Sequence, residues 1–247
     1  MNLEEYKQWY ALDEGYMYVS KVKQYNSEST QKFSKILKII DSLFNSKPED
    51  EIYKTYINFL PKGSGKNKSQ VKMIEIDKYS KLFISLKMYS EGLIDRSHLE
   101  VTNPEKFKIF SEIQKGFIEG KNYKFFVEKY TYNYLNKEFI IHYRNSKSWL
   151  GKYGFYGENH NKKAAFITDV GNEFLKNSDE METLNSLYLN QIKRYQFGNP
   201  TITTEYSKKY KVKPYYLILD VLLKLEGNYL SKKEYALFVT KIKSHEN

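Results

Sequence analysis

Cysteine is absent from the 247 residues, so neither a disulfide nor a thiolate metal site can be built. The histidines His98, His142, His160 and His245 are scattered, which argues against a zinc centre. Apolar runs extend only a few residues, far short of the roughly 20 that a membrane helix needs. The opening residues, MNLEEYKQWYALDEGYMYVSK, lack the basic-then-apolar order of a secretion signal. A soluble cytoplasmic protein without a membrane partner is therefore expected. The string Gly63-Ser64-Gly65-Lys66-Asn67-Lys68-Ser69 looks a little like a phosphate loop. A Walker A motif needs Ser or Thr directly after its lysine, where Asn67 stands, and no apolar strand leads in. Nucleotide binding is rejected, and no Ser-His-Asp arrangement can be argued.

What is plentiful is basic and aromatic. Forty Lys and Arg outweigh 30 Asp and Glu, leaving a net charge of +10. Such an excess suits nucleic acid or another anionic surface, although lysine-rich drift would produce it too. Clustering has to decide between the two. With 40% apolar residues, and 24 Tyr and 15 Phe among them, the chain can bury a core.

Read in order, the spacing Phe33, Ile36, Leu37, Ile40, Leu43, Phe44 predicts a helix from about Ser29. Pro48 is expected in the first turn of a second helix through Tyr53, Tyr56, Ile57 and Leu60. A flexible loop follows, carrying Lys62, Lys66 and Lys68 and no acid. Apolar residues from Ile74 to Leu93 form a third pattern, and Asn103-Pro104 opens a helix that stops near Gly120. Residues 121–141 fit helical and strand periods equally. Later helices are expected through Leu184–Tyr195, after Pro214, and from Leu230-Ser231, where Ser231 and Glu234 are spaced as a capping box. The fold class expected is mainly α with small β-hairpins.

The most informative stretch runs from Phe139 to Leu175. A basic, polar segment precedes Lys152-Tyr153-Gly154-Phe155, and two short apolar runs enclose an Asn-rich turn, which reads as a hairpin. Thr168 or Asp169 can cap the helix behind it. Helix, hairpin, helix is the order of a winged helix. Two subdomains are expected: a helical, aromatic-rich one over 1–138 and a winged-helix-like DNA-recognition one over 139–247.

From about Arg144 to Lys243 the chain resembles the DNA-recognition part of AlwI-like type IIS restriction endonucleases. Two blocks carry the resemblance. The first is Tyr143-Arg144-Asn145-Ser146, then Lys152-Tyr153-Gly154-Phe155, Ile167-Thr168-Asp169-Val170-Gly171 and Phe174-Leu175. The second runs from Leu187 to Gln196 with Asn199-Pro200, Val212 to Leu219 and Leu230 to Phe238. Residues 1–138 take no part in it. The resemblance implies recognition of a short asymmetric site in double-stranded DNA by a monomer. It also implies cutting by a separate Mg²⁺-dependent nuclease domain of the PD-(D/E)xK kind. Glu75-Ile76-Asp77-Lys78 misses that motif, because Lys78 follows Asp77 without an intervening residue. The cutting domain is thus expected outside these residues or on a partner chain, and no cofactor is expected here.

Three clusters are candidates for DNA contact. Arg144, Asn145, Ser146, Lys147, Lys152, Lys162 and Lys163 surround the hairpin. Arg reads guanine O6/N7 and Asn reads adenine N6/N7 through paired hydrogen bonds, while lysines displace counterions from phosphates. Lys62, Lys66 and Lys68 form the second cluster, and Lys208, Lys209 and Lys211, beside the helix start at Pro214, the third. Each is weighed against an ordinary solvated surface. Tyr123 to Tyr134 could stack on unpaired bases, but core packing is favoured for such aromatics. Rival functions are a winged-helix regulator or replication initiator without nuclease activity, and a helical protein-interaction domain.

Overall fold

The computed structural model describes residues 16–61, 73–159, 161–194, 213–225, 229–231 and 233–234. In chain order these form β1 (Tyr16–Tyr18), α1 (Val19–Phe44), α2 (Glu51–Phe59), α3 (Lys78–Ser90), α4 (Ser97–Thr102), α5 (Pro104–Ile118) and α6 (Tyr123–Lys129). A short helix α7 (Tyr132–Tyr134) and a π turn (Leu135–Phe139) run directly into α8 (Ile140–Lys152). The hairpin strands β2 (Tyr156–Asn159) and β3 (Ala164–Ile167) follow, then α9 (Asp169–Lys176), α10 (Met181–Arg194), α11 (Pro214–Lys224) and β4 (Tyr229–Ser231). The fold is mainly α with small antiparallel pairs, as its periodicities foretold.

Two compact units divide the chain, one comprising 1–31 with 179–247 and the other 32–178. The boundary expected between 138 and 139 falls inside the second unit. There α8 is bound to α3: Tyr143 N–H donates to Ser85 Oγ at 3.2 Å, both groups lying in the buried core.

The second unit is built on aromatics. Phe59 packs within 5.9 Å of Phe83, Tyr123 and Phe126, and Phe110 lies 4.8 Å from Phe139. The ambiguous stretch 121–141 is thus helical from Tyr123 to Lys129 and again from Tyr132 onward, and Tyr123, Phe126, Leu135 and Phe139 go to the core. The π turn closes with Ile140 N–H donating to Leu135 C=O, one residue further back than in an α-helix. Helix starts follow local chemistry. Asp77 accepts from the N–H groups of Tyr79 and Ser80 while Ser80 Oγ accepts from Asp77 N–H, a complete capping box. Asn103 and Asn122 cap α5 and α6 in the same way, each accepting from a first-turn N–H. Pro48 stands three residues ahead of α2 rather than in its first turn, because the helix begins only at Glu51.

In the first unit, Leu222 of α11 and Leu230 of β4 are buried together, with Leu217, Ile218 and Val221 against them. Strand β4 pairs antiparallel with β1, Met17 opposite Leu230. Leu230-Ser231, read as a helix start, thus ends a strand first. The capping box itself is present: Ser231 N–H donates to Glu234 Oε2 at 2.9 Å, and Glu234 N–H to Ser231 Oγ at 3.1 Å.

Candidate nucleic-acid interface

The hairpin is closed by residues that the sequence singles out. Gly154 takes a φ of +77°, a conformation that glycine adopts without a Cβ penalty. Thr168 Oγ1 donates to Gly154 C=O at 2.6 Å and accepts from Gly171 N–H at 3.0 Å, so Thr168, rather than Asp169, caps α9. A Cβ at Gly171 would collide with the Phe155 carbonyl, so only glycine lets α9 lie this close. Phe155 and Phe174 then stack at 4.5 Å. The run Gly154-Phe155, Thr168, Gly171 and Phe174 is one fold-closing unit.

Register sets the faces of the hairpin. Tyr156 pairs with Ile167 and Glu158 with Ala165, and Tyr156 is buried. Gly157 and Phe166 lie across from each other on the other face, where Phe166 is 51% exposed. The turn is anchored as well. Lys163, in the left-handed region at φ +48°, accepts through its carbonyl from Ile76 N–H at 2.7 Å.

Glu158 ties the hairpin to α8. Its Oε1 accepts from the hydroxyls of Tyr143 and Tyr156, each at 2.9 Å, and its Oε2 from Lys147 Nζ at 2.6 Å. The two phenol oxygens lie 2.8 Å apart. Burial works to raise the Glu158 carboxyl, but hydrogen bonds from Lys147, Tyr156 and Tyr143 outweigh it and hold the group below the usual carboxylate range. Both phenols are pushed well up, by burial first; at Tyr143 the Glu158 charge adds to it while Tyr156 opposes it, and at Tyr156 both Tyr143 and Glu158 add to it. This network was invisible in the sequence; the only hint is that Tyr143 and Lys147 share a helix face and Tyr156 and Glu158 a strand face.

With Tyr143 and Leu150 buried and Lys147 held by Glu158, α8 turns a defined side outward. Arg144 and Asn145 are exposed on that side, with Ser148 one turn on. Ser146 and Lys152 are half-buried, and Lys152 Nζ sits 4.6 Å from the Trp149 ring centre. Lys162 and Lys163 are exposed at the hairpin turn. The structure thus separates the cluster into an inward lysine, Lys147, already neutralised, a half-buried Lys152 on Trp149, and the exposed cations Arg144, Lys162 and Lys163. Helix α8 carries no acid at all. Helix α9 differs: Asp169 and Glu173 join Asp41 in an open groove where, among the described residues, Lys176 is the one cation. Phosphate would be repelled there. Lys62, Lys66 and Lys68, and Lys208, Lys209 and Lys211, lie outside the described residues.

The Mg²⁺ that a nuclease would need finds no fit in the Glu75–Lys78 cluster, since Asp77 already caps α3. Among the described residues, no group of three or more His, Asp or Glu could hold a metal ion. Nor is any helix among them long and apolar enough to cross a membrane.

Residues 151–247 match the family model of the AlwI restriction endonuclease. The match covers under half of the chain. It takes in the hairpin with Lys152, Lys162 and Lys163, the closing residues from Gly154 to Phe174, and Lys208, Lys209 and Lys211. Arg144, Asn145, Ser146 and Lys147 precede it, as do Lys62, Lys66 and Lys68. No curated protein and no solved structure matches the chain.

Proposed function

We propose that this chain is the double-stranded DNA recognition module of a type IIS restriction endonuclease. In this reading α8 enters the major groove, the β2–β3 hairpin lies against the backbone as a wing, and a Mg²⁺-dependent nuclease domain lies elsewhere. The observation that carries the proposal is the outward side of α8. It offers Arg144, Asn145 and Ser148 without an acid on the helix, and it adjoins a hairpin that matches a restriction endonuclease family. Arg144 and Asn145 have the donor and acceptor patterns for guanine and adenine edges. Lys152, Lys162 and Lys163 contribute salt-dependent affinity through phosphates, whereas Lys147 serves the Glu158 network. Lys62, Lys66, Lys68, Lys208, Lys209 and Lys211 are proposed as further phosphate contacts on charge alone. The protein acts as a monomer, in keeping with an asymmetric site.

Selection of bound duplexes from a random pool at near-physiological salt tests this. A short asymmetric consensus, lost with Arg144→Ala while weak non-specific binding persists, is expected. A palindromic consensus would favour a dimeric regulator. An unenriched pool with fully salt-labile binding would withdraw the recognition role.

A further inference from the structure

On the outward side of α8, Ile141 occupies the position three residues before Arg144 and four before Asn145. That spacing places all three on one helical face. The side chain is 42% exposed, although the same helix buries Tyr143 and Leu150 completely. Its place outside is imposed from within. The π turn ends at Phe139, which is buried, and Tyr143 is held by Ser85, Tyr156 and Glu158. Rolling α8 to hide Ile141 would tear out those contacts. A β-branched side chain has few rotamers, so Ile141 presents a stiff apolar knob beside two side chains suited to base edges.

Resting on the DNA reading above, we propose that Ile141 is a specificity-determining residue that packs on the C5-methyl group of a thymine. That methyl is the one apolar group on the major-groove floor, and aliphatic side chains read it by contact. The complementarity of charge around it favours DNA as the occupant: Arg144 is exposed, Lys152 lies further along, and α8 has no carboxylate. Three to four residues of helix rise correspond to roughly 4.5–6 Å. The thymine should therefore lie within about two base pairs of the bases read by Arg144 and Asn145.

The test uses the full chain and the duplex selected above. Each thymine is replaced in turn by deoxyuridine, which removes only the methyl group, and dissociation constants are measured for the wild type, Ile141→Ala and Ile141→Val. One replacement, close to the positions whose preference Arg144→Ala or Asn145→Ala abolishes, should weaken wild-type binding about fourfold, the effect of one buried methyl. The same replacement should leave Ile141→Ala unaffected, while Ile141→Val keeps most of the sensitivity. A wild type indifferent to every replacement would overturn the proposal. So would an Ile141→Ala variant that loses the same factor, or a consensus without an A·T pair in that window. Those outcomes leave DNA recognition standing. A pool that yields no consensus at all would overturn both.

Discussion

Tyr143 and His142 are neighbours on α8, yet they enter polar clusters of opposite construction. Around Tyr143 the polar atoms are paired: two phenols and Lys147 converge on Glu158, and both carboxylate oxygens accept. Around His142 they are not. Arg96 Nη2 approaches His142 Nδ1 at 3.5 Å, and its guanidinium lies 4.7 Å above the Phe110 ring. Arg96 Nε, His142 Nε2 and the Tyr134 hydroxyl are buried without a hydrogen-bond partner. A guanidinium only donates, so Nδ1 accepts and the imidazole proton sits on Nε2. Burial pushes His142 down to about 4, helped by the charges of Arg96 and Lys32. The first cluster is a clamp that orients α8 against the hairpin. The second costs stability, because buried polar groups have lost water and gained little in return.

The difference can be broken most sharply at Glu158. Its side chain is 8% exposed and that of Lys147 27%. Glu158→Ala strands a half-buried ammonium and removes the common acceptor of two buried phenols. A loss of about 3 kcal/mol is expected, at the lower end for a broken buried pair because Lys147 can reach water. Urea unfolding measures it. A loss under about 1 kcal/mol would show that the clamp is not what orients α8.

The next largest effect is on pH dependence. Unfolded, His142 takes up a proton near pH 6.5; folded, it resists until about 4. The unfolded state thus binds more protons in between, and stability should fall as pH drops from about 6.5 to 4. The loss is at most about 1.4 kcal/mol per pH unit. His142→Leu should flatten that slope, while the loss of an acceptor for Arg96 Nη2 adds a cost that does not vary over this pH range. Glu158 works in a separate window. Its folded carboxyl is held low, so its contribution is complete above the unfolded value of about 4.3 and disappears only as pH falls further. An unchanged slope in His142→Leu would assign the acid sensitivity to other groups.

The smallest effects compare two hydroxyls. Tyr143→Phe removes one donor to Glu158 and should cost about 1 kcal/mol. Tyr134→Phe removes a hydroxyl that has no partner and should be neutral or slightly stabilising. Equal costs in thermal unfolding would erase the distinction between the clusters.

The sequence was most legible where a few adjacent residues settle the outcome. A cap at Thr168 or Asp169, the Ser231–Glu234 box, the turn between Glu158 and Lys163 and the period of α1 from Ser29 onward could all be read directly. Asp77 shows how composition misleads: near Glu75 and Lys78 it invites comparison with a metal motif, but its oxygen goes to the backbone of α3. Lys147 counted as a free cation in the sequence because its partner stands eleven residues away, on a strand rather than on its own helix.

Residue order alone therefore determined most of the helices, the caps at Asn103, Thr168 and Ser231, the closed hairpin and the basic character, since 3.6- and 2-residue periods and caps act within a turn or two. Tertiary structure decided the rest: the pairing of β1 with β4, the π turn ahead of α8, the neutralising of Lys147 and the exposure of Ile141 beside Arg144. Each depends on contacts beyond a single helix or strand, where packing and desolvation, rather than local propensity, select the partner.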